Sequence, residues 1–196
     1  MLLPRPRSGD GSAILRRVSY TWITSCPLAC RPDFGARVVT AAADGPVPLI
    51  RSSLALQGAV SHNGFTAHFD GRHDGFFRKV VAGNKIGGPI IVTHTVNDKA
   101  VGIAYPIASR ISGDKTSALG DEGDVYGGLG RNGAVKMKAN EYAAGVLLGQ
   151  DGRYLFTVGK AHNLRADDYV SSHGVWNDVH GAGLSLAAAP IIASRF

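Results

Sequence analysis

The stretch GPIIVTHT, residues 88–95, restricts the fold of this chain more than any other part of the sequence. A Gly-Pro break is followed by a run of β-branched residues, and such a run is typical of a strand buried on both faces. Strands of this kind occur mainly in parallel sheets that are covered by helices. The stretch therefore predicts a central parallel strand in an α/β domain.

Helix-like and strand-like segments alternate on both sides of this strand. The stretch DGFFRKVVAG (74–83) predicts a helix with Phe76, Phe77 and Val80 on one face. The same alternation predicts a helix over 34–44, a buried strand over 54–56, a helix over 100–112 and a last helix after residue 173. Because strand and helix alternate, we expect a mostly parallel sheet with helices on both faces.

Two apolar segments near residue 150 indicate one local exception to this parallel arrangement. GVLLG (145–149) and RYLFTV (153–158) lie on either side of Gln150-Asp151-Gly152. A short turn between two apolar runs is the usual signal of an antiparallel hairpin. We therefore expect these two segments to pair with each other.

The positive charge is concentrated at the beginning of the chain. The formal net charge is +6, and residues 1–37 hold six Arg and two Asp, which accounts for +4 of it. Because these arginines are scattered among Pro and Ser without a helical face, we expect a solvated segment and no nucleic-acid partner. No apolar run reaches the roughly 18 residues of a membrane helix. No membrane partner is predicted, and a cytoplasmic location is the default.

Two parts of the chain differ in composition. Residues 1–33 are rich in Arg, Pro and Ser, contain Cys26 and Cys30, and show no pattern of a parallel strand. The two cysteines lack a second ligand pair for zinc, so we expect free thiols. The sequence thus predicts a poorly ordered segment over 1–33 and a folded α/β domain over 34–196.

Two short motifs suggest a protein kinase. Asp33-Phe34-Gly35 matches the magnesium-binding tripeptide of kinases, and residues 128–135 match the phosphate-loop pattern G-x-G-x-x-G-x-V. In a kinase the glycine-rich loop comes first, whereas here it follows the tripeptide. The sequence also contains no H-R-D, V-A-I-K or A-P-E motif. The order of the motifs therefore argues against phosphoryl transfer.

An acid and a histidine stand in the order that a hydrolase triad requires. Asp98 follows the predicted central strand, and His173 lies in the loop SSHGVW before the last predicted helix. In α/β-hydrolases the acid follows a late parallel strand and the histidine comes near the C-terminus. Asp98 would orient the imidazole, and His173 would act as general base and then general acid. The alternatives are a turn or cap residue for Asp98 and an exposed loop histidine for His173.

The chain resembles an actinobacterial-type α/β-hydrolase family over about 160 of its 196 residues. The resemblance lies in FGARVVTAAADG, LALQGAVSHNGF, GPIIVTHTVNDKAVGIAYPIASRI and YGGLGRNGA. The family's elbow motif, G-H-S-F-G-A-R, aligns with residues 31–37, so its nucleophilic serine falls on Asp33. The resemblance implies hydrolysis of small-molecule esters or related acyl bonds by Asp33, Asp98 and His173. No cofactor or metal is predicted.

The elbow departs from the family pattern. An elbow turn needs small neighbours on both sides, but Arg31 and Pro32 precede Asp33. The family also has several strands before the elbow, whereas only 32 residues precede Asp33 here. We therefore expect a partial α/β-hydrolase fold that lacks the N-terminal strands, with residues 1–33 derived from a shifted reading frame or a false start. Weak or absent esterase activity is the predicted consequence. The alternative is a non-catalytic binding module that self-associates through an exposed sheet edge.

A polar stretch, SHNGFTAHFDGRHDG (61–75), collects three histidines and two aspartates. These are His62, His68, Asp70, His73 and Asp74. Nitrogen and oxygen ligands of this kind can hold zinc, but the spacing is not that of H-E-x-x-H on a helix. The glycines around them favour a polar loop beside the substrate.

Overall fold

The computed structural model describes five parallel strands and three short helical elements. The described residues are 19–23, 41, 44, 52–56, 58–104, 107, 123–149 and 151–170. The strands are β1 (Ser19–Ile23), β2 (Ser52–Leu56), β3 (Ile90–His94), β4 (Tyr142–Val146) and β5 (Ala161–Arg165). The helical elements are α1 (Arg78–Ala82), a π-helical turn (Ala100–Ala104) and α2 (Leu129–Asn132).

The five strands form one sheet in the order β1-β2-β3-β5-β4, and every neighbouring pair is parallel. Strand β3 lies in the middle, where Ile90 is in register with Ser53 of β2 and with Ala161 of β5. Its residues from Ile90 to Thr93 are all buried. The prediction of a central parallel strand from its β-branched run is therefore confirmed.

Successive residues of β3 pack into two different hydrophobic clusters. Ile90 and Val92 belong to a cluster with Phe77 and Leu129, whereas Ile91 belongs to a second cluster with Leu164. Because successive side chains of a strand point to opposite faces, both faces of the sheet carry a core. This two-sided burial explains why the strand is a continuous apolar run rather than an alternating one.

Helix α1 ends where the sequence predicts, at Gly83, but it is shorter than predicted. Phe77 and Val80 are almost completely buried, and the rings of Phe77 and Phe65 stack with their centroids 5.0 Å apart. Phe76 is 57% exposed, so its assignment to the apolar face is wrong. The helix begins only at Arg78, and Phe76 therefore does not follow the helical spacing on which that assignment depended.

Strand β1 lies within the first 33 residues, where the sequence indicates no strand. Its residues from Ser19 to Ile23 pair in parallel with β2, from Ser52 to Leu56. The stretch SYTWI contains the aromatic and β-branched residues that favour strands. The composition of the surrounding segment concealed this signal, and the expectation that no strand occurs there is wrong for these five residues.

The predicted hairpin between residues 145–149 and 153–158 is also wrong. Strand β4 pairs in parallel with β5, and residues 153–158 form no strand. Instead, the ring of Tyr154 stacks on Phe156 at 5.0 Å, and Phe156 meets His162 edge-on at 4.9 Å. Residues 153–158 belong to the connection between β4 and β5, and the side chains of Tyr154 and Phe156 pack against the second hydrophobic cluster.

Other predicted elements are covered only in part. Ala41 and Asp44 are helical, as the segment 34–44 predicts, and the start of the segment 100–112 is the π-helical turn. The predicted helix after residue 173 lies outside the described residues. Within the part of the chain that the structure describes, no helix is both long and apolar enough to cross a membrane.

Candidate functional site

The carboxyl ends of β3 and β5 bring together several polar side chains. These strands are neighbours, with His94 in register with Arg165, and the amide of Ala166 donates to the carbonyl of His94 at 2.8 Å. The turn after β3 therefore lies beside the turn after β5. In open parallel sheets, ligands bind outside the carboxyl ends of the strands. This edge is accordingly the first place to look for a site.

Asp98 is buried in the turn that follows β3. Only 1% of its surface is exposed, and its amide donates to the carbonyl of Thr95 at 3.1 Å. Its Oδ1 accepts a hydrogen bond of 2.9 Å from the amide of Val101, at the start of the π-helical turn. Asp98 thus acts as a cap.

Two side chains connect the Asp98 turn to the turn after β5. The Thr95 hydroxyl donates to Oδ1 of Asp167 at 2.6 Å, and Nδ2 of Asn97 donates to the carbonyl of Val170 at 2.7 Å. Thr95 is completely buried and Val170 nearly so. Each connection joins residues more than 70 positions apart in the chain.

Of the three predicted triad members, only Asp98 lies within the described residues. Asp33 and His173 are outside them. The structure does bring Val170, three residues before His173, into contact with Asn97, the residue before Asp98. The sequence pattern did not single out Thr95, Asn97 and Asp167, although all three lie within three residues of the end of a strand at the same sheet edge.

The glycine-rich segment 128–133 also lies near this edge, but its amides are already used. Those of Leu129 and Gly130 donate to the carbonyls of Val60 and Gly58 at 2.8 and 2.9 Å. The amide of Gly133 closes the helix on the Leu129 carbonyl at 2.8 Å. A phosphate-binding loop needs such amides to point at the ligand. Their hydrogen bonds within the chain therefore argue against the kinase interpretation.

Arg131 is the side chain of this segment that reaches the sheet edge. Its Nη1 donates to the carbonyl of Val96 at 2.5 Å. Its aliphatic part crosses Gly102, where a side chain would overlap with it. Arg131 therefore contacts the chain on both sides of Asp98, at Val96 and at Gly102.

The polar stretch 61–75 does not form one continuous loop. Residues 62–66 are buried, and the ring of His62 has no exposed surface. Its Nδ1 lies 3.0 Å from Nδ2 of Asn132. Burial lowers the pKa of His62 to about 4, against a smaller opposing effect of the Asp124 main chain. The imidazole is therefore neutral near pH 7, and the prediction of a polar loop is wrong for this residue.

Residues 68–74 do form an exposed polar turn. Nδ1 of His73 lies 2.7 Å from Oδ2 of Asp70, and Nδ1 of His68 lies 3.3 Å from Oδ1 of Asp74. The hydrogen bond to Asp70 raises the pKa of His73, and the same bond lowers that of Asp70. Among the described residues, no three His, Cys, Asp or Glu side chains come together as ligands for a metal ion.

Comparison with protein-family models, with curated proteins and with solved structures gives no match to this chain. A function for this chain has therefore to be inferred from its fold and from its site residues. The relevant features are the parallel sheet and the polar residues at the carboxyl ends of β3 and β5.

Proposed function

We propose that this chain is an α/β-hydrolase-like protein whose chemistry is the hydrolysis of esters or related acyl bonds in small molecules. Asp98 is the acid and His173 the base of its triad, and Asp33 occupies the nucleophile position. The parallel sheet and the location of Asp98 in the turn that follows its central strand support this proposal. In α/β-hydrolases the triad acid follows a late parallel strand.

The hydrogen bond between Asn97 and Val170, 2.7 Å long, carries the argument. His173 follows Val170 by three residues, and three residues of chain span at most about 11 Å. Asp98 directly follows Asn97, and consecutive Cα atoms are about 3.8 Å apart. The chain can therefore bring the imidazole of His173 to the carboxylate of Asp98, although the two residues are far apart in sequence.

Each residue has a defined role in this proposal. Asp98 holds the imidazole of His173 in the useful tautomer and stabilises the imidazolium, while His173 takes up a proton and later returns it. Asp33, as the carboxylate, would attack the acyl carbon to form a mixed anhydride, and the alcohol would leave with a proton from the His173 imidazolium. Water deprotonated by His173 would then hydrolyse the anhydride and restore the Asp33 carboxylate. Because an elbow turn needs small neighbours and Arg31 and Pro32 precede Asp33 in the sequence, we expect weak or no activity with Asp33 in place. No cofactor takes part, and a cytoplasmic location remains part of the proposal.

Hydrolysis of short p-nitrophenyl esters tests this function. We expect little activity in the wild type, higher activity in Asp33→Ser, and a loss of at least about 1000-fold when His173→Ala is added to Asp33→Ser. His73→Ala in the same background is the matched control, because His73 is an exposed histidine that also pairs with an aspartate. A folded Asp33→Ser protein without activity would contradict the proposal, as would activity that survives His173→Ala.

The alternative is a non-catalytic module that pairs through a sheet edge, and one observation favours it. Strand β4 is the last strand of the sheet, and no other described strand covers its outer edge. Its residues Tyr142 and Val146 are 37% and 42% exposed. An uncovered edge with apolar side chains invites pairing with another chain. Size-exclusion chromatography tests this: we expect a dimer that Val146→Lys converts to a monomer, and a monomeric wild type would exclude this alternative.

A further inference from the structure

We propose that Thr95 and Asn97 are positioning residues, which hold the segment before His173 against the Asp98 turn and so determine whether acid and base meet. This inference rests on the proposed function. It assigns to the two side chains a role that differs from contact with the substrate. Neither residue belongs to the predicted triad.

Thr95 makes hydrogen bonds both within the Asp98 turn and to the turn after β5. Its hydroxyl donates to Oδ1 of Asp167 at 2.6 Å and accepts from the amide of Asn97 at 3.1 Å. Its carbonyl accepts from the amide of Asp98 at 3.1 Å, and its amide donates to the carbonyl of Gly130 at 2.9 Å. Because Thr95 is completely buried, its hydroxyl would lack a replacement partner if these bonds were lost. Thr95 thus fixes the turn that carries Asp98 and connects it to Asp167.

Asn97 provides a second attachment three residues further along the segment after β5. Its Nδ2 donates to the carbonyl of Val170 at 2.7 Å. The amides of Tyr169 and Val170 both donate to the carbonyl of Ala166, at 3.0 and 3.1 Å, so residues 166–170 form a closed turn. The amide of Ala166 already bonds the carbonyl of His94 at the start of this turn. The attachments at Asp167 and Val170 fix the rest of the turn, up to the residue three positions before His173.

The strength of the first attachment comes from its charge. A hydroxyl that donates to a carboxylate makes a charge-assisted hydrogen bond, which is shorter and stronger than a neutral one. A displacement of about 1 Å between catalytic groups is enough to lower rates by about 100-fold. Loss of either attachment therefore weakens the pairing of Asp98 with His173 without removing a triad residue.

The test is an NMR titration of the imidazole of His173 in the full chain, a measurement that does not need esterase activity. His173→Gln identifies the signal. A carboxylate beside an imidazole raises its pKa, so Asp98→Asn should lower the pKa of His173 by about 1 or more. We expect Thr95→Val and Asn97→Ala to lower it by at least about half as much as Asp98→Asn does.

Thr66→Val is the matched control. Thr66 is also a buried threonine whose hydroxyl donates a 2.6 Å hydrogen bond, but its acceptor is the carbonyl of Val135. This variant should leave the pKa of His173 unchanged. If Thr95→Val does not fold, Asn97→Ala carries the test, because Asn97 is only half-buried.

The two ways of failing give different results. If Asp98→Asn leaves the pKa of His173 unchanged, Asp98 and His173 are not paired, and the proposed function fails together with this inference. A second result separates the two. If Asp98→Asn lowers the pKa of His173, the triad stands. If Asn97→Ala and any folded Thr95→Val then leave that pKa unchanged, as Thr66→Val does, the positioning role is overturned.

Discussion

Residues 62–66 and 68–74 are consecutive parts of one polar stretch, yet their environments are opposite. His62 has no exposed surface, whereas the side chain of His73 is 72% exposed. Burial lowers the pKa of His62 to about 4, and the hydrogen bond with Asp70 raises the pKa of His73. The environment thus disfavours the charged imidazole at His62 and favours it at His73, eleven residues later. Packing, not composition, decides which chemistry each histidine offers.

Ion pairs near this stretch also differ in burial. Arg78 and Glu141 form two parallel hydrogen bonds of 2.8 and 2.7 Å, and their side chains are only 12% and 15% exposed. Arg78 also reaches the carbonyl of Phe65 at 3.4 Å, so this pair supports the buried part of the stretch. The pairs of the exposed turn 68–74 lie in water, where such contacts contribute little. Perturbations should therefore have large effects in 62–66 and small ones in 68–74.

The largest effect should come from Glu141→Gln. This change leaves the guanidinium of Arg78 without its charged partner in a largely buried place, and we expect the free energy of unfolding to fall by about 3 kcal/mol. Urea unfolding measures the loss. Asp74→Asn, in the exposed turn, is the control and should cost about 0.5 kcal/mol or less. Equal losses in the two variants would mean that burial does not distinguish these regions.

The second prediction concerns pH. The unfolded chain protonates His62 below its ordinary pKa of 6.5, but the folded chain resists protonation down to about 4. Stability should therefore decrease as the pH falls through this window, by up to about 3 kcal/mol from this residue. His73 has the opposite sign, because its raised pKa stabilises the folded state at low pH and this contribution is lost as the pH rises.

Unfolding at pH 7 and at pH 5 separates the two histidines. His62→Gln should reduce the decrease in stability between these values, whatever its effect at pH 7. His73→Gln should leave the decrease in place or enlarge it slightly. An unchanged decrease in His62→Gln would show that another group causes the acid sensitivity.

The third prediction compares two glycines. A side chain at Gly127 would overlap with the ring of His62 and approach Nδ2 of Asn132, so Gly127→Ala should destabilise the fold by about 2 kcal/mol. Gly71 has φ of +87° and no atom within 4 Å of a new Cβ. Gly71→Ala should cost only the backbone strain, about 1 kcal/mol. Thermal unfolding compares them, and a larger loss in Gly71→Ala would contradict the close packing at His62.

The smallest effect should come from Asp70→Asn. This change removes the carboxylate that raises the pKa of His73, so that pKa should fall while the melting temperature stays the same. An NMR titration of the His73 imidazole measures the first effect and calorimetry the second. A clear drop in the melting temperature would mean that the exposed turn contributes to the fold.

Sequence patterns predicted the elements whose signals are local. The β-branched run at residues 90–93 predicted β3 and its central place, and Gly83 marked the end of α1. Asp98 could be identified as a candidate because its position three residues past the predicted strand is visible in the sequence. These features depend on neighbours a few residues away, whose preferences the sequence shows directly.

Only the tertiary structure decided the features that depend on distant parts of the chain. The parallel pairing of β4 with β5 replaced the expected hairpin, because parallel strands need a long connection and their pairing leaves no turn signal between them. The contact between Thr95 and Asp167 joins residues 72 positions apart. The burial of His62 likewise depends on the segment around Gly127 and Asn132. The sequence by itself determined the central strand and the candidate acid, whereas long-range packing determined the environment of each side chain and thereby its protonation.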